Sequence, residues 1–272
     1  MSKELTVLKL GGALITDKSV PYTARLDVLN AAAQEIKECM DEGLIQALVL
    51  IQGVGSFGHP PVLEHKLHRG FQSPDQLLPL SKTQSKVAEL RTMVVEALQN
   101  VGIPICLMYP SSMITSEKMR MTNYFFNALK GFLKLGMVPL LGGDILIDSV
   151  MGWSIGSGDP LSVLLAKELG AKNLIFASDV AGIYNADPKE ISAAELFEEI
   201  NLNNLEHVLE RIRASSASDA SGVMEGKIKS ISMAKELVEA GLEISIISMM
   251  QSGHLKALLK GDTSNSTQFI VK

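Results

Sequence analysis

The sequence predicts an α/β protein with a mostly parallel sheet covered by helices on both faces. Three observations carry that expectation. Short, fully apolar runs of strand length recur along the 272 residues. The first two of them close on glycine-rich turns. Segments with apolar residues at helical spacing separate the runs, the alternation expected of strands buried on both faces.

In order, Thr6 to Leu10 (TVLKL) reads as a strand closed by Gly11-Gly12. Leu26 to Met40 carries Leu26, Leu29, Ala32, Ala33, Ile36 and Met40 at helical spacing, with Gly43 as a stop signal. Ala47 to Ile51 (ALVLI) is a buried strand ending in a second glycine turn. Ser81 to Val101 reads as a long helix, Ile103 to Met108 as a strand, Tyr124 to Leu135 as a helix and Val138 to Leu141 as a strand. Downstream, Pro160 to Leu169 is helical, Asn173 to Phe176 extended, and Gly226 to Ala240 helical up to Gly241. Ile244 to Ile247 is a strand, His254 to Leu259 a short helix, and Gln268 to Val271 an edge strand. With no linker rich in Pro, Gly and Ser, a division into lobes 1–172 and 173–272 rests on motif positions.

Composition narrows the function. The net charge of −5 argues against a polybasic groove for nucleic acid or an anionic membrane surface. Cys39 and Cys106 lie inside apolar segments, which suits buried thiols in a reducing compartment. The opening MSKELTVLKLGG has no long apolar stretch, and no run approaches a membrane span, so a cytoplasmic protein is expected. The five histidines and two cysteines make no zinc pattern, and neither a P-loop nor a G-x-S-x-G elbow is present.

Four turns carry chemistry. Lys9-Leu10-Gly11-Gly12, with Lys18 beyond, places an ammonium beside glycines whose backbone can approach phosphate oxygens; an ordinary strand-to-helix turn with a snorkelling lysine fits as well. Gly53-Val54-Gly55-Ser56-Phe57-Gly58-His59 is a second cradle, but its third glycine comes one residue too early for a dinucleotide fingerprint. His59, just before Pro60-Pro61, falls where a loop should leave the sheet and reads as a surface residue or a ligand. Ser157-Gly158-Asp159 opens the helix from Pro160, an anion-binding position with Asp159 as N-cap or as an orienter of lysines. Last come Asp179, Gly182, Tyr184, Asp187 and Lys189, followed by Gly222, Gly226 and Lys227 at what reads as another helix start.

Taken together, K-L-G-G-x-x-I-T-D-K, G-S-F-G-H-P, S-G-D and S-D-V-x-G-I-Y-x-x-D-P resemble the amino acid kinase superfamily, and within it are most similar to the isopentenyl phosphate kinase family. The resemblance implies a three-layer αβα sandwich around an open, mainly parallel sheet, with the acceptor in the N-terminal lobe and ATP in the C-terminal lobe. It implies transfer of the γ-phosphoryl of Mg-ATP to isopentenyl phosphate in isoprenoid precursor synthesis, by a homodimer without nucleic-acid or membrane partners. Kinases of phosphonates such as fosfomycin share the G-S-F-G-H turn and supply the alternative acceptor; a non-catalytic nucleotide-binding module is the other reading.

Carried over, His59 would bind the acceptor phosphate with Gly53, Val54, Ser157 and Gly158. Lys9, Lys18 and Lys227 would neutralise the transferring group, and Asp159 would order the lysines. Gly11, Gly12 and Gly55 would offer amides, while Asp179, Tyr184, Asp187, Gly222 and Lys227 would line the nucleotide site, with no protein-built metal site. Four positions depart from the family: Gln52 for histidine, Val54 for a small residue, Pro160 for a second aspartate and Val223 for glycine.

Overall fold

The computed structural model describes residues 3–215 and 220–272, with backbone alone at 213–215 and 220–223. The chain enters through β1 (Leu5–Leu10), a four-residue α1 (Gly12–Ile15) and α2 (Leu26–Asp41), then β2 (Ala47–Gln52), α3 (Gly55–Glu64), α4 (Leu77–Asn100) and β3 (Ile105–Leu107). It continues through β4 (Ile114–Glu117), β5 (Arg120–Tyr124), α5 (Asn127–Lys134), β6 (Val138–Gly142), β7 (Asp144–Asp148), β8 (Gly152–Gly156) and α6 (Gly158–Leu169). The last part holds β9 (Asn173–Ser178), β10 (Glu199–Asn201), α7 (Glu206–Ser215), α8 (Ala220–Ser232), α9 (Lys235–Glu239), β11 (Glu243–Ser248), α10 (His254–Leu259) and β12 (Ser266–Ile270).

Eight strands form one sheet in the order β10-β12-β11-β9-β1-β2-β6-β3. From β11 to β3 every pairing is parallel, and β12 runs antiparallel to β11. From β1 the chain builds outward to β2, β6 and β3 on one side and to β9 and β11 on the other. In open α/β sheets ligands bind at such a switch point, beyond the carboxyl ends of the strands.

Strand periodicity sorts the core into two layers. Leu8, Leu10, Leu48 and Leu50 pack with Leu29, Ile36, Leu90 and Val94 of α2 and α4. Val7, Val49, Ile51 and Phe176 pack with Leu161, Leu165, Ile228 and Ile231 of α6 and α8. Lys9 alternates onto this second face, which aims it at α6.

The structure differs from the sequence reading in five places. A second sheet, β5-β4-β7-β8, occupies a stretch that showed no strand signal. Its strands have four or five residues, too few for a clear period. Asp148 organises it, accepting hydrogen bonds from the amides of Lys118 (3.1 Å), Met119 (2.9 Å), Val150 (3.0 Å) and Met151 (3.0 Å) and from Ser116 Oγ (3.1 Å). Burial alone would raise its pKa, yet these donors hold the carboxyl well below the usual range.

Tyr124 ends β5 rather than opening a helix. The G-S-F-G-H-P-P segment is helical despite Pro60 and Pro61; the Ser56 carbonyl, which Pro60 cannot reach with an N–H, accepts from the Tyr22 amide at 3.4 Å. α8 begins at Ala220, so Gly222 lies in its first turns and Gly226 and Lys227 in its interior, and α9 is separate. β12 is not the edge, because β10 pairs beyond it. Both cysteines are free; burial and the nearby Glu35 push the Cys39 thiol up to about 11.

The two glycine turns interlock backbone to backbone. A Cβ on Gly53 would lie 2.2 Å from the Gly12 nitrogen, and one on Gly12 would lie 2.5 Å from the Gly55 nitrogen. Gly53→Ala should therefore force β1 and β2 apart, costing about 1–3 kcal/mol as overpacking does. Thermal unfolding should show a melting temperature lower by roughly 3–10 °C; an unchanged midpoint would mean the turns separate freely.

Candidate active site

Three segments converge at the switch point. β1 delivers Lys9, the turn before α6 delivers Asp159, and α8 delivers Lys227. Lys9 Nζ donates to Asp159 Oδ1 at 2.5 Å, and Lys227 Nζ donates to the same oxygen at 3.3 Å. Both lysines are nearly buried, at 7% and 8% exposure.

Local structure explains how this is possible. Ser157, not Asp159, is the N-cap of α6, its hydroxyl accepting the Asp159 amide at 3.4 Å. That leaves the Asp159 carboxylate free to turn onto the lysines, so the expected N-cap assignment moves two residues upstream. A side chain at Gly158 would press to 3.0 Å from Lys9 Cε, so glycine there lets the lysine reach Asp159. Phe176, the direct neighbour of Lys9 on β9, puts its ring 5.0 Å from Lys227 Nζ, a favourable cation–π placement.

Electrostatics follows from that packing. Burial would raise the Asp159 pKa, but Lys227 and Lys9 hold the carboxyl well below the usual range. Burial pushes Lys227 down to about 8; Lys9 adds to the shift and Asp159 opposes it. Two ammonium groups thus share one carboxylate, leaving a net positive pocket that is complete when a further anion arrives.

Around this triad the glycine turns form a rigid floor. The Gly11 amide already donates to the Ala177 carbonyl at 2.8 Å. The remaining expected donors, Gly12 and Gly55, open α1 and α3, where first-turn N–H groups have no carbonyl one turn back. Thr16, absent from the sequence-based assignment, stitches the turns together: its Oγ1 donates to the Gly12 carbonyl at 2.7 Å and accepts the Ser56 amide at 3.0 Å.

His59 lies on α3 at the rim, open to solvent on one side. Crowding by the cleft on its other side, then the charges of Lys18 and Lys9, lower its pKa below the ordinary value, with Asp159 opposing. Lys18 is exposed and, among the described residues, makes no hydrogen bond or ion pair, yet its charge acts on both His59 and Asp179. Asp179, just past the end of β9, is paired with Lys189, whose role the motif alone does not indicate. Burial opposes ionisation of Asp179, but the Lys189 hydrogen bond and charge, the Asp179 amide and the charge of Lys18 together lower its pKa. Tyr184 and Asp187 remain engaged in their own turn: Tyr184 bridges Leu196, and Asp187 accepts the Lys189 amide at 2.9 Å.

The family departures also find places. Val54 has φ −92°, so its branched side chain imposes no strain, and the positive φ falls on Gly55 at +45°. Its methyls fill space beside two glycines: a Cβ on Gly58 would meet Val54 Cγ2 at 2.6 Å, and one on Gly143 would meet Cγ1 at 2.9 Å. Gln52 is on the opposite sheet face from Lys9, fully buried, with neither amide atom partnered among the described residues. Pro160 sits in the first turn of α6, where its missing N–H is not needed.

Cations gathered on one carboxylate, glycine turns that admit close backbone approach, and a helix N-terminus beside them all favour dense negative charge. That set of features defines a site for a phosphate-bearing small molecule. A profile of the Amino acid kinase family matches residues 4–248, and the chain belongs to that family. It is 33% identical to the isopentenyl phosphate kinase of Methanocaldococcus jannaschii over 84% of this chain and 86% of that one. It is 31% identical to the isopentenyl phosphate kinase of Methanothermobacter thermautotrophicus over 98% and 100%. A solved isopentenyl phosphate kinase structure superposes with a TM-score of 0.81 at 29% identity, covering 97% of this chain and 99% of that one.

Because burial pushes Lys227 down to about 8, its ammonium should be lost as pH rises through that value, and turnover should fall on the alkaline side. Lys227→Arg keeps the charge at all working pH values and should shift that limb upward by about one unit or more. A pH–rate profile with an identical alkaline limb in the variant would remove Lys227 from the pH dependence.

Proposed function

We propose that this chain transfers the γ-phosphoryl group of ATP to isopentenyl phosphate, giving isopentenyl diphosphate and ADP. The observation that carries the reading is the pair of buried ammonium groups on Asp159, set between the glycine turns and the N-terminus of α6. The isopentenyl phosphate kinases to which the chain is similar over nearly its whole length supply the acceptor. The acceptor is assigned to residues 1–172, near His59, Gly53, Val54, Ser157 and Gly158, and the nucleotide to residues 173–272, near Asp179, Tyr184, Asp187 and Gly222.

In this reading an acceptor phosphate oxygen attacks the γ-phosphorus in line as the bond to the β,γ-bridging oxygen breaks. The acceptor oxygen is already anionic, so no strong base is needed, which suits a histidine with a lowered pKa acting as hydrogen-bond donor. Lys9, Lys18 and Lys227 neutralise charge on the moving group, and the Gly12 and Gly55 amides add fixed dipoles. Asp159 is a positioning residue that keeps two ammonium groups in one place. Magnesium comes as part of the substrate, held by the nucleotide's phosphate oxygens. The two described carboxylates at the site do not fit a resident ion, because Asp159 is committed to Lys9 and Lys227, and Asp179 to Lys189. A cytoplasmic location and, by family analogy, a homodimer belong to the same reading.

The test is ADP release with Mg-ATP and isopentenyl, dimethylallyl and geranyl phosphates, fosfomycin and acidic amino acids. Isopentenyl phosphate should be turned over fastest; activity on fosfomycin alone would overturn the acceptor and keep the kinase. His59→Ala should raise the KM for isopentenyl phosphate or lower kcat, with ATP affinity within about twofold. A collapse of ATP binding in that variant would reverse the lobe assignment. Lys18→Ala should lower kcat by about 10²-fold while both binding constants change little; unchanged turnover would remove Lys18 from the mechanism.

A further inference from the structure

Lys18 acts from a loop that must be held by other residues, since its own side chain is tied to nothing among those described. Residues 17–23 join α1 to α2 through a narrow neck: Thr16 bridges Ala24, and the Asp17 amide donates to the Thr23 carbonyl at 2.9 Å. Inside the loop the Ser19 amide and hydroxyl donate to Asp17 Oδ1 at 2.8 and 2.6 Å. Lys18, Ser19 and Val20 at the tip are exposed. Tyr22 ties this loop to the body of the protein. Its amide donates to the Ser56 carbonyl at 3.4 Å, the oxygen that Pro60 leaves without its helical donor. Its ring stands edge-on to Phe57 with centroids 5.9 Å apart, and Lys86 Nζ of α4 lies 5.5 Å from the ring centroid. Both spacings are favourable for aromatic and cation–π contact. Phe57 is 1% exposed and so a fixed anchor.

The backbone at Tyr22 has φ +56°, the left-handed region that a bulky residue rarely adopts. Such a conformation persists where the surroundings hold it, and here they hold it four residues from Lys18. A lysine is a point charge on a flexible stem, so the backbone it springs from decides where that charge can reach. We propose that Tyr22 is a positioning residue that holds the Lys18 ammonium over the cleft, between His59 and Asp179. Released from Phe57 and Lys86, the loop would still close at its neck, but the ammonium would range through solvent and neutralise the moving phosphoryl group poorly. This role rests on the reading of Lys18 as a charge-neutralising group of the kinase proposed above.

Steady-state kinetics with Mg-ATP and isopentenyl phosphate, and an NMR titration of the ligand-free full chain, test the assignment. Tyr22→Ala should lower kcat by about tenfold or more with both KM values within about threefold. Tyr22→Phe, which keeps the ring, should recover most of that loss. In a Lys18→Ala background, Tyr22→Ala should cost less than about twofold further, because it acts through the lysine already removed. The second readout is His59, whose pKa is lowered by burial and by the charges of Lys18 and Lys9 and raised by Asp159. Its resonance, assigned by its loss in His59→Ala, should titrate at higher pH in Tyr22→Ala than in the parent, the direction that Lys18→Ala also gives. A parent-like His59 titration in Tyr22→Ala, a parent-like kcat, or losses that multiply in the double variant would overturn the role. Lys18→Ala that lowers kcat beside a Tyr22→Ala that leaves His59 unmoved would sink Tyr22 alone and leave the kinase reading intact. The titration needs no substrate, so a chain inactive on isopentenyl phosphate whose His59 moves as expected would overturn the acceptor and keep Tyr22 in its place.

Discussion

One carboxylate holding two ammonium groups is the constraint on which the site depends. Without Asp159, Lys9 and Lys227 would repel one another across a buried gap, and neither would stay aimed at the cleft. With it, two cations are fixed in an arrangement that still carries excess positive charge. Such preorganisation is what phosphoryl transfer asks of a protein, since charge on the moving group must be met without solvent reorganisation. The cost is visible in Lys227, whose pKa falls to about 8.

The fold supplies the triad from three distant segments, and each contribution has a simple cause. Alternation along β1 puts Lys9 on the α6 face, while its neighbours Leu8 and Leu10 seal the other layer. Ser157 takes the capping role, which frees the Asp159 carboxylate. Gly158 keeps clear the path of the Lys9 side chain. Beneath them the Gly11–Gly12 and Gly53–Gly55 turns touch through backbone and are tied by Thr16, so the floor of the cleft behaves as one rigid piece.

The parallel sheet was legible because its strands are continuous apolar runs between helices of clear period, and β1, β2, α2 and β6 fall within one or two residues of where the sequence puts them. The small sheet was not legible. Its alternation spans four or five residues, and its organising element is a single carboxylate, Asp148, whose partners are backbone amides with no sequence signature. Pro60-Pro61 pointed to a loop, since two missing N–H groups weaken a helix; tertiary contact from the Tyr22 amide offsets part of that loss. Lys9, Asp159 and Lys227 were picked out from the sequence as chemistry-bearing residues, yet their convergence on one oxygen depends on packing of α8 over β1. The pairing of Asp179 with Lys189 and the bridging by Thr16 likewise depend on side-chain direction, which spacing does not encode.

The central claim is that Asp159 acts by holding Lys9 and Lys227 together, and Asp159→Asn tests it most directly. The variant keeps the shape of the side chain and removes the charge. Steady-state kinetics across pH with Mg-ATP and isopentenyl phosphate should show turnover lower by about 10²-fold or more. The alkaline limb should move below its parent position, because Lys227 loses the neighbour, Asp159, whose direct bond raises its pKa. Turnover within twofold of the parent, with the alkaline limb unmoved, would contradict the account.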